Sequence, residues 1–323
     1  MVKQQQLLLK PIDLKPYKLI QRAPLVLFFI WNPKTVTKHN CFSRSFQLPF
    51  YMLLIAISSF VNAEELTTAK NEMPNQVSFS EVLALTHNDM TTKLTYGDDE
   101  NQFIEVWAAN ERNKVEPASA GIVLIHGGCW MSEYGVDHVR PLASALSDQS
   151  YNVFAIEYRR TGQPGGGWPG SLNDAREAIK TIREAYPKMA LSAIGHSAGG
   201  HLAMLTGTDP TLRLTSVIAL APITDIATYA KGESGCQKAA AAFMGGKPES
   251  NQQAYALANT LDKRIVVPLY ILGGKTDKIV PVEQIKHNQA RRFIGENIGH
   301  FDWVHPQTEA FVHIMNTLGR LYE

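Results

Sequence analysis

Little in this chain points to a metal or a nucleotide. It has 3 cysteines, none in a C-x-x-C pair, and no H-E-x-x-H or paired-histidine spacing, so the usual sequence patterns of a zinc site are missing. No G-x-G-x-x-G follows an apolar run. Gly165-Gly166-Gly167 leads into Trp168-Pro169 rather than into a phosphate-binding helix. No internal repeat, heptad run or low-complexity tract lies between 64 and 323, which excludes a solenoid, a coiled coil or a long disordered linker. The chain also lacks an uninterrupted apolar run of the roughly 20 residues a comfortable membrane span requires. No metal and no cofactor is therefore expected.

Acidic side chains are scarce at one end. Of the 31 Lys/Arg and 30 Asp/Glu, eight and one respectively fall in residues 1–63, which leaves 64–323 with 23 basic against 29 acidic groups, net −6. A mildly acidic body offers no electrostatic footprint for nucleic acid. Within the basic segment, Leu48 to Phe60 (LPFYMLLIAISSF) ends in Val61-Asn62-Ala63. Basic residues, a short apolar core and small residues at −3 and −1 describe a secretory signal peptide cut after Ala63. The expectation is an exported protein, periplasmic or secreted, with an uncleaved N-terminal anchor as the alternative. The segment is long for a leader and holds a second apolar patch, Pro24 to Trp31, which suggests a true start downstream of Met1. Cleavage removes Cys41 and leaves Cys129 and Cys236. In an oxidising compartment this pair permits one disulfide, and two buried free thiols are the alternative.

The rest reads as one domain over 85–323, preceded by a polar, flexible arm over 64–84. Thr91–Tyr96 and Gln102–Ala108 flank a turn and predict an antiparallel hairpin. Continuous apolar runs then alternate with helical spacing. Strands are predicted at 121–125, 152–156, 189–194, 214–220, 265–272 and 292–294, and helices at 136–148, 171–186, 282–291 and 306–320. This is an α/β pattern, with a mainly parallel sheet covered by helices on both faces. Ligands of such sheets bind beyond the carboxyl ends of the strands, so the residues following the strands matter most.

Three of those stretches carry chemistry. Gly195-His196-Ser197-Ala198-Gly199 stands where a strand turns sharply into a helix. Small residues fit that crowded turn, which would expose the Ser197 hydroxyl beside a helix N-terminus that favours negative charge. His126-Gly127-Gly128-Cys129-Trp130 follows an earlier strand. Its small residues let the backbone N–H groups of Gly128 and Cys129, with that of Ala198, face a substrate oxygen as an oxyanion hole. His126 itself suits a turn-bracing role. Asp277, after a late strand, can orient a histidine. Asp225 competes for that role, although either can also be a helix cap. His300 follows a glycine in a late loop and suits the base, whereas His305 precedes Pro306 and suits a cap. His201, on the helix after Ser197, suits a structural role.

Ser197, Asp277 and His300 in that order, behind the glycine loop, resemble the α/β-hydrolase family over roughly residues 85–321. HGGCW, EYRR (157–160), GGGWPGSLND (165–174), GHSAGGH, GGKTDKIVP and GHFDWVHP are most similar to its esterase and kynurenine-formamidase-like branch. The resemblance implies a serine hydrolase of the carboxylesterase type, which acts on a small or aryl ester through an acyl-enzyme at Ser197. The alternative is an arylformamidase that cleaves N-formylkynurenine, against which export counts, and the second alternative is a binding protein that kept the fold and lost turnover. Cys129 replaces the third glycine of the HGGG version and keeps its N–H. A small helical lid is implied over about 226–262, with Cys236 in it, where a Cys129–Cys236 disulfide would pin the lid to the oxyanion loop. Trp130 and Trp168 are candidates to line the substrate pocket, with core packing as the alternative.

Overall fold

The computed structural model describes residues 73–110 and 120–322. The expectations for the leader and for the start of the arm fall outside the described residues. In chain order the elements are helix α1 (Phe79–Leu83), strands β1 (Thr92–Thr95), β2 (Phe103–Trp107) and β3 (Ala120–Ile125), α2 (Arg140–Asp148), β4 (Asn152–Ile156), α3 (Gly170–Ala185), β5 (Ala190–His196), α4 (Ala198–Thr206) and β6 (Ser216–Leu220). Then come α5 (Ile226–Tyr229), α6 (Gly235–Phe243), α7 (Gln252–Ala258), β7 (Leu269–Gly274), β8 (Arg291–Gly295) and α8 (Glu309–Tyr322). The strands form one sheet in the order β1-β2-β4-β3-β5-β6-β7-β8, antiparallel at β1–β2 and β2–β4 and parallel elsewhere. This is the predicted mainly parallel α/β architecture.

Successive side chains of a strand point to opposite faces, so a run that is apolar at every position needs cover on both. In β3, Val123 and Ile125 join one core with Ile179 of α3 and Leu202 of α4, while Ile122 and Leu124 join another with Leu146 of α2 and Ile314 of α8. The amphipathic helices α2, α3 and α8 are laid against the sheet by burial of those faces, each Leu or Ile contributing roughly 1.5–3 kcal/mol.

Two predicted elements differ. Pro268 has no N–H to give a ladder, so the strand expected over 265–272 begins only at Leu269 and runs on to Gly274. The helix predicted over 282–291 is a single 3₁₀ turn at Val282–Gln284. Its polar side chains are occupied by backbone elsewhere. Gln284 Oε1 accepts from the Thr224 and Asp225 N–H groups, and Gln289 both accepts from Ile265 N and donates to Ile265 O. The arm expected to be flexible over 64–84 is ordered where it is described from Val77 on. Ser78 and Glu81 form a reciprocal cap for α1, and Val77 and Val82 are buried. Between β6 and β7, at the carboxyl edge of the sheet, α5, α6 and α7 form the helical insertion foreseen as a lid.

Candidate active site

The end of β5 is the sharpest turn in the site. Ser197 has φ 56° and ψ −119°, a left-handed backbone that a serine adopts only when its surroundings enforce it. The enforcement comes from close packing at both glycines of the motif. A Cβ on Gly195 would run into the Gly199 carbonyl, and one on Gly199 into the carbonyls of Ile125 and His126. Strand, elbow and helix are therefore in backbone contact. Ala198 is the first residue of α4, so its N–H has no carbonyl partner within the helix.

Beyond β3 the chain bends through three consecutive positive-φ residues, Gly128 (95°), Cys129 (53°) and Trp130 (57°). Gly127 packs against the Ser197 elbow: a Cβ there would lie 3.0 Å from Ser197 Cβ. His126 braces the bend, with ring nitrogens 2.8 Å from Gly127 O and 2.8 Å from Glu157 Oε1. Its ring stacks on Tyr158 at 4.3 Å, and the Tyr158 hydroxyl donates to His126 O. Glu157 also accepts from Arg160 Nη1 at 2.6 Å and from Val136 N at 2.8 Å. Burial alone would raise the Glu157 carboxyl, but His126, Arg160 and the Val136 N–H outweigh it and bring the group down to about 2.

His300 and Asp277 meet beyond β7 and β8. His300 Nδ1 donates to Asp277 Oδ2 at 2.7 Å, while Asp277 Oδ1 accepts from Ile279 N and Val280 N, each at 2.8 Å. A carboxylate so engaged cannot rotate away. Its bond to Nδ1 leaves Nε2 as the ring nitrogen available for proton transfer. Asp225, the competitor, instead caps α5 through Thr228 N and Thr228 Oγ1. His305 accepts from Gln307 N, a local turn contact.

His196 ties the elbow to His300. Its Nε2 donates to His300 O at 2.9 Å, and the two rings lie 4.6 Å apart. Burial, with the neighbouring His300 and His138, holds His196 well below the usual histidine range. His138 accepts from Gly127 N at 3.3 Å and is pushed down to about 3, mainly by burial. These two neutral rings, together with Glu157 and Asp302, were not singled out as site-forming residues from sequence. Local composition marks none of them, because each acts through partners that only the fold brings to it.

The remaining candidates divide. Cys129 and Cys236 form a disulfide with Cα atoms 5.2 Å apart, which joins the bend after β3 to α6. Trp130, a candidate to line the pocket, is fully buried. Its ring stacks on Phe243 of α6 at 4.6 Å and meets His201 edge-on at 5.4 Å, so it packs the insertion onto the sheet. Trp168 is half-buried, and its backbone N–H donates to Phe243 O. His201 donates to Ala258 O at 2.8 Å, and burial lowers it to about 4, as befits a structural residue. Among the described residues no group of His, Cys, Asp and Glu is placed to hold a metal ion, and no helix is long and apolar enough to cross a membrane.

A strained serine at a strand-to-helix elbow, a buried Asp–His pair on later strands and a small-residue bend beside them define an α/β-hydrolase. The family whose model is described as BD-FAE matches residues 110–291, and the chain belongs to that family of α/β-hydrolase esterases. It is 22% identical over 215 residues to "Probable carboxylic ester hydrolase LipM" of Mycobacterium tuberculosis, which covers 60% of this chain and 49% of that protein. It is 34% identical over 105 residues to "Versiconal hemiacetal acetate esterase" of Aspergillus parasiticus, which covers 31% and 32%. The chain thus spans about half the length, or less, of these curated relatives. The same fold occurs in esterase B of Lactobacillus rhamnosis (TM-score 0.58, 18% identity, 75% of this chain and 89% of that one). It occurs also in a truncated carbohydrate esterase from gut microbiota (TM-score 0.59, 17% identity, 73% and 97%).

Proposed function

We propose that the protein is a serine hydrolase of carboxylic esters, with Ser197 as nucleophile, His300 as base, Asp277 as the group that orients it, and Gly128, Cys129 and Ala198 as the oxyanion hole. The observation that carries this reading is the buried His300–Asp277 hydrogen bond beside a serine held at positive φ. In the reaction His300 Nε2 takes the Ser197 proton as the oxygen attacks the ester carbonyl. The carbonyl oxygen gains negative charge, which the backbone N–H groups of the bend and of Ala198 stabilise. His300 returns the proton to the departing alcohol, and an acyl-enzyme remains. Water activated by the same imidazole then releases the acid. Preorganised N–H donors of this kind are each worth about 3–4 kcal/mol of barrier.

The names of the relatives support ester over amide chemistry, and a small or aryl ester is the expected substrate. The Cys129–Cys236 disulfide suits work in an oxidising compartment, in keeping with export after cleavage near Ala63. The test is hydrolysis of p-nitrophenyl acetate and butyrate, with N-formylkynurenine alongside. Ser197→Ala is expected to abolish ester turnover and leave the thermal unfolding transition in place. Turnover that survives this substitution would overturn the assignment. Faster cleavage of the formamide than of either ester would transfer it to the arylformamidase class.

A further inference from the structure

We infer that Asp302 is a positioning residue for His300, and that residues 76–83 act as a strap that holds the His300 loop through Asp302 and the bend after β3 through Phe79. Asp302 lies two residues after the base and is 1% exposed. No cation pairs with its carboxylate among the described residues. Three backbone N–H groups satisfy it instead: Val77 N on Oδ1 at 2.8 Å, and Gln76 N at 2.8 Å and Gly299 N at 2.7 Å on Oδ2. One donor thus comes from the residue just before His300 and two from a segment more than 220 positions away. Gly299 and Gln76 are packed backbone to backbone, since a Cβ on Gly299 would lie 2.9 Å from Gln76 Cα. The carboxylate is a staple between the strap and the loop that carries the base.

The strap also reaches the other loop. Phe79 lies between three rings, with centroids 5.5 Å from Tyr134, 5.6 Å from His138 and 5.5 Å from Phe301. Phe301 adjoins His300. His138 accepts the Gly127 N–H, and the space beside the Gly128 Cα is filled by Tyr134. One short segment therefore touches the supports of the base on one side and those of the oxyanion bend on the other. Val77 and Val82 anchor it in the same core as Ile298 and Trp303. A five-residue helix has little stability of its own, so the strap keeps its place through these contacts and its capping box. Catalytic geometry is intolerant of small displacements. A shift of about 1 Å in a reacting group can cost on the order of a hundredfold in rate.

The consequence for rate rests on the serine-hydrolase reading, while the mechanical coupling does not, and the experiment separates the two. Full-length wild type, Asp302→Ala, Asp302→Asn, the strap variant Phe79→Ala/Val82→Ala and the combination of Asp302→Ala with the strap variant are compared, with Glu184→Ala, at an exposed position of α3, as the control. Amide hydrogen exchange over residues 296–304, read by mass spectrometry, is expected to rise in every variant except the control. With p-nitrophenyl butyrate, kcat is expected to fall by about a hundredfold in Asp302→Ala and about tenfold in the strap variant, with KM within about twofold. Asp302→Asn keeps one acceptor oxygen and should recover part of the loss. The combined variant should be slower than Asp302→Ala by less than the strap variant's own factor, because the two changes share the contact between the strap and the His300 loop. Exchange over 296–304 that matches wild type in Asp302→Ala would overturn the coupling. Raised exchange with unchanged kcat, or losses that simply multiply, would overturn the positioning role. A wild type that turns over no ester defeats the proposed function, and the exchange result still decides the coupling.

Discussion

At the scale of single residues, the site depends on which polar groups are occupied and by what. Asp277 has both oxygens engaged, one by His300 and the other by two backbone amides, whereas Asp225 spends its carboxylate on a helix end. The two aspartates should therefore respond differently to an isosteric change. Asp277→Asn is expected to cut kcat by about 10³–10⁴-fold, since the amide favours the wrong imidazole tautomer. Asp225→Asn should stay within a few-fold of wild type. Steady-state kinetics on one ester decides it, and equal effects would remove Asp277 from its role. The buried histidines divide in a similar way. His300 has a carboxylate partner, while His138, His196 and His201 offer their rings to backbone and stay neutral.

At the scale of elements, the insertion between β6 and β7 is attached to the sheet at several points. The disulfide joins α6 to the bend after β3, Phe243 stacks on Trp130, and His201 holds the end of α7 through Ala258 O. The residue that carries one arm of the disulfide, Cys129, is also one whose backbone N–H is proposed for the oxyanion hole. Cross-linking residues 107 apart in sequence restricts the unfolded chain strongly, and loss of such a link typically costs about 2–5 kcal/mol. Cys236→Ser should lower the urea midpoint accordingly and reduce kcat more than it raises KM. Unchanged midpoint and kcat would show that the insertion holds itself in place without the link.

For the molecule as a whole, burial of neutral rings ties stability to pH. His138 and His201 are held near 3 and 4, and His196 well below its ordinary value, all principally by burial. In the unfolded chain each would take up a proton near pH 6.5. Below that pH the unfolded state binds up to three more protons than the folded one, so stability falls as pH drops from about 6.5 toward 4. Glu157, brought down to about 2 in the fold, adds in the same direction below pH 4.5. The urea midpoint is expected to be level between pH 7 and 8 and to decline steadily from pH 6.5 to 4. A midpoint independent of pH over the lower range would mean that these rings protonate in place.

The α/β class and most of the strands were legible in the sequence, because they depend on local rules. Apolar runs without alternation demand cover on both faces, and a glycine–serine–glycine turn between strand and helix has few other uses. Position after a late strand pointed to Asp277 over Asp225, and it is Asp277 that His300 bonds in the fold. The sequence alone left open whether Trp130 faces a substrate or a core, and it marked residues 64–84 as a flexible arm and 282–291 as a helix. Each of these depends on a partner far along the chain. Phe243 covers Trp130, Asp302 receives the amides of Gln76 and Val77, and Gln284 and Gln289 satisfy backbone at Thr224 and Ile265 instead of forming a helix of their own. Periodicity and turn chemistry act over a few residues and can be read directly. A buried carboxylate that binds amides more than 220 residues away is decided only when the sheet has brought the two segments together.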